Sequence, residues 1–295
     1  MPRRFVILDV FTQTPLAGNP LAVVRDAEGL DGAAMQAIAR EFNLSETVFV
    51  LKPAEGRHRA RLRIFTPTRE LPFAGHPTVG TAVLLALQDR RADLADAVAF
   101  GLEVELGVIP CVVEAGENRG RARFKLPVMP DFRGEGPEAA PLAAALGLQP
   151  GDIGFGRHRP SRHAAGPEFT FVPVASRERL DAAAPGAGLP EIADAVYLYA
   201  PDPEGLGLSF QSRMFAPALG APEDPATGSA AAAFAGVLMQ FEALGEGTHD
   251  VAIRQGIAMG RPSDIDLQVE VASGVLRSVE IGGGAVVVAD GSLHV

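Results

Sequence analysis

Cysteine, tryptophan and long apolar runs are scarce or missing in this sequence. The single cysteine, Cys111, cannot form a disulfide within the chain, which suits a reducing cytoplasm. It lies in an apolar run and is predicted to be a buried strand residue. No apolar run is long enough to span a bilayer, and the apolar start at Phe5 is interrupted by Asp9 with no cleavage site after it. We therefore expect a cytoplasmic protein without a membrane partner.

Positive charge is also in short supply. The formal net charge of −10 argues against nucleic acid or an anionic membrane surface as the main partner. The six histidines show no metal-ligand spacing with cysteines or acids, and no dinucleotide fingerprint or phosphate loop occurs. The sequence therefore predicts no metal and no cofactor, which leaves acid–base chemistry.

Length and composition predict two domains. A chain of 295 residues, 47% of them hydrophobic, is long for one average domain and has ample material for two cores. The stretch 128–138 is rich in proline and glycine, has no periodicity and is the best linker candidate. We predict domains over residues 1–130 and 131–295, with the C-terminal strand as a candidate to pack back on the first domain.

Two short stretches place a polar residue before a proline at the start of an apolar run. They read FAGHPTVG at 73–80 and EDPATGS at 223–229. Proline suits the first turn of a helix because its missing N–H has no partner there, and the residue before it is extended, as an N-cap must be. His76 and Asp224 are therefore predicted to cap buried helices over 77–89 and 225–240. The N–H groups behind each cap would favour anions.

An internal repeat relates these two stretches. RIFTP at 63–67 matches RMFAP at 213–217, 150 residues later, and a polar-proline stretch with a buried helix follows each. The simplest account is two similar domains, each a β-barrel-like sheet wrapped around its helix, and coincidence is the alternative. Short strands with one long apolar helix per half indicate an α+β fold. A pseudo-twofold would bring the two helix starts to one cleft, a favoured place for small ligands.

The side chains at these helix starts could act on a small carboxylate. Helix N–H groups, with His76, Asp224 and Ser229, would bind the carboxylate and stabilise the enolate formed when a neighbouring carbon loses a proton. That step requires a general base within hydrogen-bond reach. Taken singly, His76 and Asp224 are more simply caps, Ser229 a first-turn serine, and Glu46 one of 36 acidic residues. Only their joint arrangement favours a functional site.

Basic residues collect in the segment 156–166, in contrast to the acidic chain. It contains three arginines and two histidines, His158 and His163. Two interpretations are open: a contact for an anionic substrate, or a basic surface loop.

A set of motifs that covers the chain from end to end resembles one known family. The segments are DVFT at 9–12, GNPLAV at 18–23, NLSET at 43–47, FTP at 65–67, ELPFAGHPT at 70–78, RMFAP at 213–217, EDPATGSA at 223–230, QG at 255–256 and GRPS at 260–263. Together they resemble the PhzF family, the phenazine-biosynthesis-type isomerases, which share the diaminopimelate epimerase fold. The resemblance implies two β-barrel-like halves, each wrapped around a central helix, with the active site between them.

The resemblance also implies roles for individual residues. The family's catalytic glutamate is matched by Glu46, which would take a proton from one carbon of the substrate and return it to another. Its histidine, aspartate and serine are matched by His76, Asp224 and Ser229. Family members are commonly homodimers and use no cofactor.

Backbone donors for the substrate carboxylate are implied at both helix starts. The matching donor positions are Gly75 and Gly228, and Pro77 and Thr227 beside them are also expected to contact the substrate. A small carboxylate-bearing substrate is therefore the expected partner.

Missing cysteines separate this chain from relatives that racemise amino acids, which use a cysteine at each helix start. Neither helix start has one here, and Cys111 is far from both in the sequence. Thiol-based racemisation is thereby excluded, since no thiolate can exchange the proton. A single glutamate serving two carbons predicts isomerisation. The alternatives are a non-catalytic binding protein for small acids, and an epimerase in which His76 or Asp224 is the acid opposed to Glu46.

Overall fold

The computed structural model describes residues 2–89, 97–219 and 221–295. The chain folds into two compact units, Met1–Pro127 with Gly282–Val295, and Val128–Ile281. Each unit combines a sheet with a few helices, which confirms the predicted α+β class. Within the described ranges, no helix has the length and apolar character needed to cross a membrane.

Eight strands of the first unit close into a barrel. Its elements are β1 (Arg3–Val10), β2 (Asn19–Val24), α1 (Gly32–Phe42), β3 (Glu46–Leu51), β4 (Ala60–Phe65), β5 (Glu70–Leu71), α2 (Gly75–Gln88), β6 (Val98–Val104), β7 (Gly107–Ala115), β8 (Arg119–Lys125) and the end of β17 (Val275–Leu293). Around the barrel each strand pairs with the next in the order β1, β2, β3, β4, β6, β7, β8, β17, and β17 pairs with β1. Closure removes free strand edges.

Helix α2 lies inside this barrel. Every residue from Gly75 to Ala86 is buried, because the helix is apolar on nearly all sides and is stable only when it is surrounded. It packs mainly on β7 and β8 and also contacts β1, β2 and β3. Gly80 permits the close approach, since a Cβ at that position would lie 2.7 Å from side-chain atoms of Leu21 and Val10.

Helix α1 packs on β3 and β4. In the sequence, Asp31 before apolar residues at helical spacing predicts its start, and Asn43 predicts its end. The carboxylate of Asp31 accepts a hydrogen bond from the Ala34 N–H at 2.8 Å, which caps the N-terminus. Asn43 ends the helix in the left-handed conformation, with φ 50° and ψ 34°. The sequence prediction of a helix between these two residues is confirmed.

The second unit builds a sheet around its own long helix. Its elements are β9 (Asp131–Glu135), α3 (Ala139–Leu146), β10 (Ser161–Ala164), β11 (Glu168–Pro173), α4 (Arg177–Ala182), α5 (Leu189–Ile192), β12 (Val196–Pro201), β13 (Leu208–Ala216), β14 (Ala221–Asp224), α6 (Gly228–Phe241), β15 (Gly247–Gln255), β16 (Ser263–Ala272) and the start of β17. The strands pair in the order β9, β10, β11, β12, β13, β15, β16. Helix α6 packs on β10, β11 and β16, with the Phe234 ring 4.8 Å from that of Tyr199.

The two units repeat one pattern of strand pairing, as predicted. Strands β2, β3, β4 and β6 pair parallel, antiparallel and parallel in turn, and so do β11, β12, β13 and β15. Arg63 on β4 donates two hydrogen bonds to Glu70, both at 2.6 Å. Arg213 on β13 donates two to Glu223, at 2.8 and 2.9 Å. The repeat therefore extends from topology to side-chain contacts.

Two predicted boundaries differ in the structure. The linker candidate 128–138 contains the strand β9, which went unrecognised because four of its five residues are exposed and show no apolar alternation. Alternating residues predict separate strands over 276–281 and 285–289, but both segments belong to the single strand β17. Gly284 lies within this strand without ending it. Glycine is needed there because the strand passes close to Thr12, and a Cβ would lie 2.6 Å from the Thr12 carbonyl oxygen.

Candidate active site

The N-terminus of α2 is open. Its N-cap is Ala74, in extended conformation with φ −152° and ψ 144°, and a methyl group cannot accept a hydrogen bond. The Thr78 N–H donates to the Ala74 carbonyl at 3.3 Å, which is the first bond of the helix. Pro77 has no N–H, so the amides of Gly75 and His76 are the ones without an acceptor inside the helix. This is the arrangement that binds an anion.

The predicted cap at His76 is wrong. His76 is the second residue of the helix, and Pro77 is the third instead of the first. The error has a simple cause: none of the first four helix N–H groups has an acceptor inside the helix, so proline fits the third position as well as the first. As a result the His76 side chain stands within the first turn, close to the open amides.

Glu46 and His76 come together in the first unit. Glu46 is the first residue of β3 and is paired with Leu21 of the parallel strand β2. Its Oε2 lies 3.4 Å from Nε2 of His76, and the two side chains are 18% and 5% exposed. The distance exceeds an ordinary hydrogen bond but is short enough to become one after a small movement.

The imidazole of His76 is neutral at physiological pH. Burial disfavours its charged form and lowers its pKa from 6.5 to about 3. The contact with Glu46 is therefore between a carboxyl group and an uncharged ring, not an ion pair. A neutral ring can donate or accept a proton, depending on its tautomer, so the pair is equipped for proton transfer.

The N-terminus of α6 is open as well. The helix begins at Gly228, and its N-cap is Thr227, whose side chain makes no capping hydrogen bond. The first helical bond runs from the Ala231 N–H to the Thr227 carbonyl at 3.0 Å. The amides of Gly228, Ser229 and Ala230 therefore have no acceptor inside the helix.

The predicted cap at Asp224 is also wrong. Asp224 is the last residue of β14, opposite Met214, and three residues separate it from the helix. Strand pairing fixes Asp224, so the proline after it continues a loop and does not open the helix. Its carboxylate Oδ2 accepts a hydrogen bond from the Thr227 hydroxyl at 2.6 Å.

Gln255 completes this loop and was missed as a site residue, although the segment QG at 255–256 is among the motifs quoted above. Its fully buried side chain bonds to both Asp224 and Thr227. A glutamine at the end of an alternating strand gives no functional signal by itself. Only the pairing of β15 with β13 brings it to the loop.

Helix starts define which residues correspond in the two units. Gly75 and Gly228 are both first helical residues, so the counterpart of His76 is Ser229. Ile64 and Met214 occupy equivalent positions in β4 and β13, and their partners on the neighbouring strands are Leu71 and Asp224. The counterpart of Asp224 is therefore Leu71. The predicted equivalence of His76 and Asp224 is therefore wrong, and each unit carries a different set of polar groups.

The basic segment 156–166 is not simply a surface loop. It includes β10, and its histidines are buried, with His158 6% and His163 1% exposed. The two ring nitrogens of His158 lie 2.9 Å from the Tyr199 hydroxyl and 2.9 Å from a Glu242 carboxylate oxygen. Glu242 is at the C-terminal end of α6, roughly 20 Å along the helix from its open N-terminus. His158 is therefore not placed for an anion bound at that N-terminus.

Cys111 lies in β7 with 1% of its surface exposed, as predicted for a buried strand residue. Burial raises the pKa of its thiol to about 12, so it is no candidate base. Among the residues that the structure describes, no group of three or more histidine, cysteine, aspartate or glutamate side chains is arranged to hold a metal.

Comparison with known proteins gives a consistent result. The family model of the phenazine biosynthesis-like proteins, PhzC-PhzF, matches residues 8–291. An uncharacterized isomerase of Mesorhizobium japonicum is 46% identical in an alignment 302 positions long that covers 99% of each chain. The trans-2,3-dihydro-3-hydroxyanthranilate isomerase of Pseudomonas aeruginosa is 37% identical in an alignment 298 positions long, again with 99% of each chain covered.

A solved structure supports the fold. The crystal structure of a phenazine biosynthesis protein of the PhzF family from Bacillus anthracis covers the whole of both chains with a TM-score of 0.87. At 24% sequence identity this likeness concerns the fold alone.

Proposed function

This chain belongs to the PhzC-PhzF family of phenazine biosynthesis-like proteins and is an isomerase, and we propose that it moves a proton between two carbons of a small carboxylate-bearing substrate. The base in this proposal is one glutamate, Glu46, and the reaction needs no cofactor. The observation that carries the proposal is the partly buried Glu46 carboxylate beside a neutral His76, at the open end of α2.

The proton shift is balanced without any other reactant. The Glu46 carboxylate takes a proton from one carbon, and the electron pair of the broken C–H bond enters the conjugated system of the substrate. The protonated Glu46 then gives the proton to a second carbon, so the composition of the molecule is unchanged. A neutral His76 supports this role because it adds no positive charge that would weaken the carboxylate as a base.

The negative charge that develops during the shift needs donors. The open amides of Gly75 and His76, next to Pro77, are suited to a carboxylate or an enolate oxygen. We assign the same kind of contact to Gly228 and Ser229, beside the N-cap Thr227. The ionised carboxylate of Asp224 can only accept hydrogen bonds, so we assign it to a hydroxyl or amino group of the substrate. These assignments rest on the open amides of α6 and on the family motifs EDPATGSA and ELPFAGHPT.

The name of one relative supports a substrate class for this chain. The Pseudomonas aeruginosa relative is named for trans-2,3-dihydro-3-hydroxyanthranilate, a cyclic unsaturated acid. We propose this compound, or an acid of the same class, as the substrate of the present chain. We also propose a cytoplasmic homodimer, on the strength of the family resemblance, which sedimentation analysis of the purified protein would test.

Transfer of deuterium tests the reaction type. The protein is incubated with trans-2,3-dihydro-3-hydroxyanthranilate in deuterated water and followed by proton NMR. The proposal expects a product of the same composition in which one C–H bond is lost and a different carbon gains hydrogen or deuterium. Deuterium at the original carbon with inverted configuration would indicate an epimerase. Binding without any exchange would indicate a small-acid binding protein.

A further inference from the structure

The buried amide of Gln255 is hydrogen-bonded to Asp224 and Thr227, in the loop that precedes the open end of α6. We propose that Gln255 is a positioning residue, which holds Thr227 in a conformation that cannot cap the helix and thereby keeps the amides of Gly228, Ser229 and Ala230 available to a substrate anion. The inference deepens the proposed function, on which its catalytic meaning rests.

Both heteroatoms of the Gln255 amide are used on one short loop. Its Nε2 donates to the Asp224 carbonyl at 2.8 Å and to the Thr227 hydroxyl oxygen at 3.0 Å. Its Oε1 accepts from the Thr227 N–H at 3.2 Å. The side chain has no exposed surface, so water does not compete for these bonds. Three hydrogen bonds from one buried group fix the loop from Asp224 to Thr227.

Thr227 would otherwise be expected to cap α6. A threonine at the N-cap normally turns its hydroxyl oxygen towards the N–H of the second or third helical residue. Here the hydroxyl donates to Asp224 at 2.6 Å and accepts from Gln255. The hydroxyl oxygen is therefore drawn to the loop and away from the Ala230 amide.

Two other helices of this chain show what a capping residue looks like. Asp31 and Ser176 have ψ angles of 172° and 167°, and the side chain of each accepts a hydrogen bond from the N–H three residues on. Thr227 has φ −111° and ψ 85°, and its side chain makes no such bond. The difference lies in the backbone conformation of Thr227, which Gln255 holds by bonding to its N–H and its hydroxyl.

Gly256 adds a second restraint on the same loop. It has φ 75°, a conformation that side chains other than glycine rarely adopt. A Cβ there would lie 2.6 Å from the Pro225 carbonyl oxygen and would clash with the Arg261 carbonyl oxygen as well. The peptide from Gln255 to Gly256 is therefore packed directly against the loop that it holds.

In the first unit, the N-terminus of α2 is open although no glutamine occupies the position that corresponds to Gln255. Strands β6 and β15 pair with β4 and β13 in corresponding registers, which makes Val104 the counterpart of Gln255. The N-cap there is Ala74, which has no group that could cap. Gln255 thus occurs in the second unit, where the N-cap Thr227 has a hydroxyl that could cap the helix.

Amide exchange tests the inference without any ligand. In Gln255→Met the Thr227 hydroxyl oxygen loses the hydrogen bond from Gln255 while it still donates to Asp224. We expect this oxygen to accept from the Ala230 N–H instead and to slow hydrogen exchange of that amide about fivefold, as measured by NMR on labelled full-length protein. Thr227→Val in the same background should restore fast exchange, since valine cannot cap. Unchanged exchange in Gln255→Met, or slow exchange that persists in the double variant, would overturn the inference.

Two further variants keep this test decisive. Gln255→Asn, whose amide is one methylene shorter, should behave like Gln255→Met and serves if the methionine variant does not fold. Gln268→Met is the matched control, because that amide donates to the exposed carboxylate of Asp250 and not to the loop before α6. The control should leave exchange of the Ala230 amide unchanged, and a slowing there would contradict a specific role for Gln255.

Ligand binding connects the inference to function. Titration with anthranilate, which has a carboxylate, should give about a fivefold weaker dissociation constant for Gln255→Met, whereas aniline, which has none, should show no difference. With trans-2,3-dihydro-3-hydroxyanthranilate the variant should raise KM more than it lowers kcat, and equal loss in both would contradict the anion-binding role. Absence of turnover by the unaltered protein would refute the proposed function alone, since amide exchange still decides the role of Gln255.

Discussion

Nε2 of His76 lies 3.4 Å from Oε2 of Glu46, with the imidazole almost completely buried and uncharged. The two residues are 30 positions apart in the sequence and belong to different elements, the start of β3 and the first turn of α2. Their contact brings together a carboxylate, a neutral imidazole and two open backbone amides within one unit.

Replacing the carboxylate at position 46 should abolish proton transfer. Glu46→Gln keeps the size of the side chain but cannot accept a proton, so kcat for trans-2,3-dihydro-3-hydroxyanthranilate should fall at least about 100-fold, measured by NMR of the product. Affinity for anthranilate should change little, because the amides that hold the carboxylate are untouched.

The matched control for that variant is Glu114→Gln, an exposed glutamate on β7. It should retain full turnover. Full turnover in Glu46→Gln would show that another residue carries the proton.

Acid should destabilise the protein through His76. Its pKa is about 3 when folded and about 6.5 when unfolded, so below pH 6.5 the unfolded chain binds the extra proton. The free energy of unfolding should therefore fall as the pH drops from 6.5 towards 3, by about 1.4 kcal/mol per pH unit for this residue. His158 and His163, whose pKa values burial also lowers, add to the loss with the same sign.

Urea unfolding at pH 6.5 and pH 4.5 measures the contribution of His76. In His76→Asn the difference between the two pH values should be about 2 kcal/mol smaller than in the unaltered protein. An unchanged difference in His76→Asn would mean that the imidazole is not held neutral in the fold.

The two repeated arginines should contribute unequally to stability. Arg213 and Glu223 are 11% and 18% exposed, and Arg213 also donates to three backbone carbonyls, among them that of Ala183 at 2.6 Å. Arg63 and Glu70 are about one-third exposed. Removing a buried partner leaves the other charge without compensation, whereas water screens the exposed pair.

Equilibrium urea unfolding of Arg213→Met and Arg63→Met compares the two positions. We expect a loss of about 3 kcal/mol for the first and about 1 kcal/mol or less for the second. Equal losses would show that the difference in exposure does not decide the strength of the pair.

Gly256 should tolerate no side chain. Gly256→Ala places a Cβ against two carbonyl oxygens in addition to the unfavourable φ of 75°, and should destabilise the protein by about 3 kcal/mol or more. Gly274→Ala is the matched control, with φ 68° but nothing within 4 Å of the added Cβ, and should cost about 1 kcal/mol. Thermal unfolding of both variants checks this, and similar melting temperatures would contradict the close packing at Gly256.

Short sequence patterns predicted the helices whose ends are fixed by residues close to them in the sequence. The helix between Asp31 and Asn43 has a carboxylate cap and a left-handed end, both of which are short-range signals. The sequence also predicts a short helix near 139–146, which the structure confirms as α3. Strand β9 was missed because an exposed strand has no apolar periodicity, and its existence depends on pairing with β10.

The start of each long helix could not be read from proline alone. The same rule predicted helix starts at Pro77 and Pro225, yet one proline lies inside the helix and the other lies outside it. What separates them is strand pairing: Asp224 is held in β14 opposite Met214, whereas His76 has no strand partner among the described pairings.

The amino-acid sequence by itself determined the family, the α+β class, the internal repeat and the set of residues around the two helix starts, because each of these is written in short motifs and in the spacing between them. The tertiary structure decided which of those residues meet. It paired Glu46 with a buried, neutral His76, matched His76 to Ser229, and brought Gln255 to the loop of Asp224 and Thr227. These contacts join residues about 30 positions apart through strand register and burial, which no local pattern contains.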